Sequence, residues 1–209
     1  MLSQLHIAVL VSGSGSNLQA LLDAQLSGVL HSGRIVLVIS DNPEAYALER
    51  AKAANVQTML FDRKTLGAAQ VEKYILTALR KEQIDLIVLA GFLMILSPGI
   101  VNCYTGRIIN VHPSLLPAFG GKGYYGLKVH QAALERGVKL SGATVHLVNE
   151  EPDGGPILIQ KAVRVLKNDT PETLQLRIMR QAEWRILPRA TQIICQQLLK
   201  EAHHENNAP

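Results

Sequence analysis

The chain has 209 residues, 47% of them hydrophobic and 18% charged, which excludes a disordered polymer and a mini-protein held together by disulfides or metal. Twenty-one basic against seventeen acidic residues give a formal charge of +4. The bases are scattered and aromatics make up 4%, so nucleic-acid binding is disfavoured, while the mild positive excess suits anionic small molecules.

The longest apolar run, residues 86–96, contains Gly91 and falls well short of the roughly 20 residues a membrane-spanning helix needs. No Lys or Arg precedes the apolar stretch 7–11, and Gly13-Ser14-Gly15 follows at once, so no secretory signal and no membrane partner are expected, and the expected compartment is cytoplasmic. Cys103 and Cys195 lie outside CxxC or metal-ligand spacing and read as reduced thiols, with no metal site.

In chain order, residues 5–11 form a buried-strand run, and Leu18, Leu21, Leu22 and Leu26 follow at helical spacing until Gly28. The alternation continues with a strand at 35–39, a helix at 44–54, a strand at 58–61, a helix carrying Val71, Ile75, Ala78 and Leu79, and a strand at 86–89. After a fifth strand at 108–111 the pattern loosens into a Gly- and Pro-rich loop, a helix near 128–136, and strands at 140–148 and 157–165. Leu174, Ile178, Ala182, Ile186, Ala190, Ile194 and Leu198 recur every four residues, predicting a long amphipathic helix that Pro188 kinks by removing a hydrogen bond to the Trp184 carbonyl. The expected class is α/β: a mostly parallel twisted sheet of about seven strands, helices on both faces, and a Rossmann-like N-terminal half. One domain over 1–200 with a polar tail at 201–209 is the economical division.

Between the first strand and first helix stands Ser12-Gly13-Ser14-Gly15-Ser16-Asn17, where glycines admit a close ligand and free helix-start N–H groups attract phosphate. Leu18 occupies the third glycine position of a dinucleotide fingerprint, which favours a phosphomonoester over NAD. A tight turn with Ser16 or Asn17 as N-cap explains the loop equally well. Asn110 and His112, two apart at the end of strand five, share one face if the strand reaches them, and Pro113 ends its pairing. The carboxyl ends of parallel strands form the ligand crevice of an open sheet, so this amide and imidazole are either a carbonyl-polarising pair or a capped strand end. Thr144 and His146 share a face by the same rule, and His146, flanked by Val145 and Leu147, reads as a packing histidine. Asp153-Gly154-Gly155 reads as a hairpin turn that tolerates positive φ; folded over the crevice, its carboxylate would favour a charged imidazole. Glu183 flanks the apolar stripe of the last helix, where an exposed ion pair with Arg180 is the simplest account.

Taken together, Ser12-Gly13-Ser14-Gly15-Ser16-Asn17-Leu18-Gln19-Ala20, Leu89-Ala90-Gly91-Phe92, Asn110-Val111-His112-Pro113-Ser114-Leu115-Leu116-Pro117 and Asp153-Gly154-Gly155-Pro156 resemble the folate-dependent phosphoribosylglycinamide formyltransferases over residues 5–190. The resemblance implies the formyltransferase fold and formyl transfer from the cosubstrate 10-formyltetrahydrofolate to glycinamide ribonucleotide, in purine biosynthesis. It implies Asn110, His112 and Asp153 as the catalytic trio, Thr144 and His146 as auxiliary groups, Gly13, Gly15, Ser16 and Asn17 as the phosphate loop, and Glu183 as the carboxylate directed at the ribose. It implies Leu93, Met94, Ile95, Leu96, Asn110, Val148 and Asn149 as folate-pocket residues, with a monomer or homodimer as the assembly.

Met94 stands where many relatives carry arginine, and no basic residue is matched to the one that meets the folate glutamate tail in relatives, Arg63 and Lys64 being merely nearby. The segment Gly120-Gly121-Lys122-Gly123-Tyr124-Tyr125-Gly126 is similar to plant and cyanobacterial members, and its glycines suggest a lid or gate. A 10-formyltetrahydrofolate hydrolase is disfavoured by the phosphate loop and by the lack of room for a regulatory domain. Methionyl-tRNA formyltransferase is disfavoured by the absence of an RNA-binding extension. A noncatalytic phosphosugar or folate sensor is disfavoured by the intact trio.

Overall fold

Alternation along the first strand decides how the molecule is layered. Ile7, Val9 and Val11 enter one core while Ala8 and Leu10 enter another, so the strand must be covered on both faces. The computed structural model, which describes residues 4–62 and 65–206, meets that demand with a seven-stranded sheet.

Strands β1 (Leu5–Val11), β2 (Gly33–Ser40), β3 (Gln57–Leu60), β4 (Leu86–Leu89) and β5 (Ile108–His112) pair in parallel. Strands β6 (Leu140–Leu147) and β7 (Ile157–Arg164) extend the sheet antiparallel, in the order β3-β2-β1-β4-β5-β6-β7. Helices α3 (Ala68–Lys81) and α4 (Pro98–Cys103) cover one face through residues such as Val71, Ile75, Leu79 and Ile100. Helices α1 (Ser16–Leu26), α2 (Tyr46–Ala53), α5 (Leu127–Arg136), α6 (Pro171–Ile178) and α7 (Trp184–Asn206) cover the other, burying Leu18, Leu21, Leu48, Ala133, Leu174 and Leu187 among others. Each fully buried Leu or Ile contributes about 1.5–3 kcal/mol relative to exposure. Among the described residues no helix is long and apolar enough to cross a membrane.

The expected α/β class and strand count stand, and β1 and β4 have the expected bounds. Other bounds shift by no more than two residues, and three larger details differ. α4 was not expected between β4 and β5, although Ser97 followed by Pro98 is a helix start: the Ser97 side chain accepts from the Ile100 N–H, and proline suits the first turn. The terminal helix is interrupted not at Pro188, which lies inside α7, but upstream at a π turn, Met179–Glu183. A proline lacks an N–H and its ring presses on the turn before it, and the wide turn absorbs the change of hydrogen-bond register just there. Finally, α7 continues to Asn206, so residues 201–206 of the segment expected as a tail are helical.

Candidate active site

Strand order reverses between β1 and β4: from β1 the chain moves outward to β2 and β3, and from β4 it moves the other way to β5. Such a switch point splays the loops at the strands' carboxyl ends and opens a crevice. A cavity of about 620 Å3 lies there, lined by the loops after β1, β4 and β5, by segments 121–126 and 148–153, and by one face of α6 and the π turn.

The loop after β1 is shaped by its neighbours. Gly15 sits at the start of α1 with φ +72°, and a Cβ there would lie 2.6 Å from the Ala47 Cβ and 2.7 Å from its Cα. Only glycine fits both constraints. The Gly13 carbonyl accepts from the Ala47 N–H at 3.2 Å and the Ser14 carbonyl from Arg50 Nε at 2.9 Å, which turns these carbonyls toward α2. No side chain caps α1; neither Ser16 nor Asn17 takes the role that the simpler reading of this loop offered. Its helix-start N–H groups are therefore available to a ligand.

Asn17 is buried and its Nδ2 donates to Glu183 Oε2 at 2.6 Å, while its Oδ1 has no hydrogen-bond partner. Glu183 is 6% exposed, and burial pushes its carboxyl up to about 7 despite the Asn17 bond. The π turn brings this side chain inward, whereas regular spacing predicted an exposed pair with Arg180. Gln175 and Met179 line the same wall; the four-residue spacing Gln175, Met179, Glu183 was legible, but only the packing says that this stripe faces a cavity.

Strand β5 continues to His112, so Asn110 and His112 do emerge on one face, and the β5–β6 ladder sets Asn110 opposite His146 and His112 opposite Thr144. Asp153, at φ +57°, brings its carboxylate to them from the β6–β7 turn. Its Oδ2 lies 3.4 Å from His112 Nδ1 and accepts from the Gly121 N–H at 2.8 Å. Its Oδ1 lies 3.4 Å from Asn110 Nδ2 and 3.5 Å from His146 Nε2. The far nitrogen of each ring donates to a carbonyl, His112 Nε2 to Phe119 and His146 Nδ1 to Leu147, both at 2.8 Å. Both nitrogens of His112 thus face oxygen acceptors, an arrangement that only the imidazolium fully satisfies. Burial pushes the His112 imidazole below its ordinary value, against the pull of Asp153 and the Phe119 carbonyl. Burial would raise the Asp153 carboxyl, but the His146 bond, the His112 charge and the Gly121 N–H together hold it below its ordinary value.

His146, read from its flanks as a packing residue, is part of this group through its 3.2 Å contact with Asn110 Nδ2. Thr144 is not: its hydroxyl donates to the Ser114 carbonyl at 2.7 Å and accepts from the Leu116 N–H at 3.1 Å and the Gln160 amide at 3.0 Å. One donor and two acceptor sites are all a hydroxyl has. Thr144 pins the loop after β5 and lies outside the cavity lining.

Leu93, Met94, Ile95, Leu96, Val148 and Asn149 all line the cavity. Leu93 and Ile95 are more than half exposed, leaving apolar surface for a flat ligand. The Leu93 N–H donates to Ser12 Oγ at 2.9 Å and the Val148 N–H to the Ile108 carbonyl at 2.9 Å, tying these walls to the loop after β1 and to β5. Arg63 and Lys64 lie outside the described residues.

Fold and site define an α/β protein of the open-sheet class with its crevice at the topological switch point. A family model described as formyl transferase matches residues 5–191, and the chain belongs to that family. It is 39% identical over 198 residues to the chloroplastic phosphoribosylglycinamide formyltransferase of Arabidopsis thaliana, covering 93% of this chain and 66% of that protein. To the phosphoribosylglycinamide formyltransferase of Haemophilus influenzae it is 42% identical over 183 residues, covering 87% and 83%. The crystal structure of glycinamide ribonucleotide transformylase 1 from Symbiobacterium toebii matches with a TM-score of 0.87 at 40% identity, covering 93% and 89%. The chain spans no more than two thirds of the length of the first plant and animal relatives it matches.

Proposed function

We propose that the protein transfers the formyl group of 10-formyltetrahydrofolate to the amine of glycinamide ribonucleotide, giving formylglycinamide ribonucleotide and tetrahydrofolate. The observation that carries this reading is the single cavity shared by the uncapped start of α1 and the Asn110, His112 and Asp153 group. The names of the similar proteins supply the identity of the substrate.

In this reading the amine lone pair forms the new C–N bond to the formyl carbon and negative charge passes to the formyl oxygen. Collapse breaks the bond to the folate nitrogen, which receives the proton lost by the amine, through water beside Asp153. Asn110 donates to the formyl oxygen, a kind of contact worth about 3 kcal/mol per donor, and charged His112 stabilises the same developing charge, turning its Nδ1–H from the long 3.4 Å contact with Asp153 while Nε2 stays on the Phe119 carbonyl. In the unliganded site Asn110 Nδ2 is held by long contacts of 3.2 and 3.4 Å, which an anionic acceptor outcompetes. The phosphate docks on the N–H groups of Gly15, Ser16 and Asn17, and the folate ring lies between Leu93–Leu96 and Val148–Asn149.

The test is an absorbance assay of folate turnover with glycinamide ribonucleotide present or omitted, paired with calorimetry. Turnover that requires the ribonucleotide, mole for mole, is expected. Turnover without it would make the protein a hydrolase, and saturable binding with no turnover a binding protein.

Glu183 gives a second expectation. A carboxyl raised to about 7 carries its proton below that pH, and only its ionised form accepts from two ribose hydroxyls. Affinity for glycinamide ribonucleotide, measured by calorimetry without folate, should therefore fall about tenfold from pH 8 to pH 6. Glu183→Gln should bind more weakly at pH 8 and lose that tenfold component. The same pH profile in both proteins removes Glu183 from the ribose site.

A further inference from the structure

The substrates of the reading above carry a phosphate dianion and a folate glutamate dicarboxylate, yet the side-chain charges around the cavity are mostly of the wrong sign. Glu150, Glu151, Asp153 and Glu183 all line it. Among the described lining residues one Lys or Arg faces them, Lys122. It is exposed, and among the described residues its ammonium makes no hydrogen bond or ion pair. Among the described residues, two other cations nearby are committed elsewhere. Arg50 holds the Ser14 carbonyl and Gln19 Oε1 at 2.9 Å each and lies over the Tyr46 ring at 5.0 Å. Lys128 is bound to the hydroxyl of Tyr125 at 3.1 Å and lies over its ring at 4.6 Å. Arg180 is exposed and lies outside the cavity lining, at a separate depression.

We propose that Lys122 is the side-chain cation that receives an anionic group of a substrate, a phosphate or a carboxylate, and so sets affinity and specificity for it. The inference rests on the proposed reaction. An unpaired ammonium in a crevice lined by carboxylates is positioned for an incoming anion: a charge-assisted bond forms, and the field of the four acidic groups is offset where the anion must pass. The backbone holds this cation close to the catalytic group, because the N–H of the preceding residue, Gly121, donates to Asp153 Oδ2 at 2.8 Å. Lys122 itself touches no reacting atom; its part is binding.

The test compares wild type, Lys122→Met and Lys122→Arg in steady state, varying glycinamide ribonucleotide at saturating folate and then mono- and polyglutamyl 10-formyltetrahydrofolate at saturating ribonucleotide. Lys122→Met is expected to raise KM for one anionic substrate about tenfold, with kcat within twofold and Lys122→Arg restoring most of the loss. A rise confined to the ribonucleotide identifies the phosphate as the anion, and a rise confined to the folates identifies the glutamate carboxylates. The affected KM should climb with ionic strength in wild type and less so in the methionine variant, a readout that a merely structural lysine does not move. If wild type turns over and both KM values in Lys122→Met stay within twofold, or if kcat alone falls, the inference is overturned while the reaction stands. A wild type that does not turn over glycinamide ribonucleotide overturns the underlying reading instead.

Discussion

Asp153→Ala is expected to lower kcat by about three orders of magnitude while equilibrium binding of glycinamide ribonucleotide changes less than about threefold. The carboxylate is the shared acceptor of the site: His112 Nδ1, His146 Nε2, Asn110 Nδ2 and the Gly121 N–H all converge on its two oxygens. Without it, only the Phe119 carbonyl opposes burial at His112, whose imidazole is already pushed below its ordinary value, and the charged form becomes scarcer at neutral pH. Binding should be spared because the residues proposed to hold the ribonucleotide, the loop after β1 and Glu183, belong to β1, α1 and the π turn, not to the β6–β7 turn. Asp153→Asn separates charge from shape: its amide oxygen still accepts from Gly121, but the negative charge is gone, and kcat should fall nearly as far. Single-turnover rates and calorimetry check both variants, and turnover within tenfold of wild type would sink the assigned role.

The second large effect concerns the glycines that follow. At Gly155 an added Cβ would sit 1.8 Å from the Leu147 carbonyl oxygen and 2.8 Å from its carbon. The same stretch is already clamped by the Leu147 N–H donating to the Pro156 carbonyl at 2.8 Å, so the backbone has nowhere to retreat. Gly155→Ala is expected to cost about 3 kcal/mol, the upper part of the range for overpacking, lowering Tm by about 10 °C for a chain of this size. Turnover should drop as well, since Asp153 is two residues away. Gly154→Ala is the control: the atoms its Cβ would meet first belong to the exposed Glu151 side chain, which can swing aside. Equal melting temperatures for the two variants would show that the close approach at Gly155 does not constrain the fold.

These glycines illustrate what the residues disclosed and what they hid. The Asp-Gly-Gly turn was legible, and the expected positive φ exists, at Asp153. Gly154 and Gly155 have no positive φ, and Gly155 is required by a strand edge pressed against it. The same limit applies at Glu183, which periodicity set on the flank of a regular helix and a π turn redirects inward. Thr144 and His146 share one face and one strand, yet a loop consumes the Thr144 hydroxyl while Asn110 and Asp153 draw His146 into the site.

By itself the amino-acid order determined the alternation of strands and helices, the glycine loop at the first turn, the shared face of Asn110 and His112, and a resemblance strong enough to suggest the chemistry. All of these depend on contacts within a few residues or on the period of the backbone. Tertiary structure alone decided that the 153 turn folds back over β5, that Asn17 and Glu183, 166 residues apart, share a hydrogen bond, and that a lysine with no partner among the described residues overlooks a crevice of carboxylates. Such distant groups meet only when the two cores close around the sheet, and their pairing is chosen by packing that no local pattern encodes.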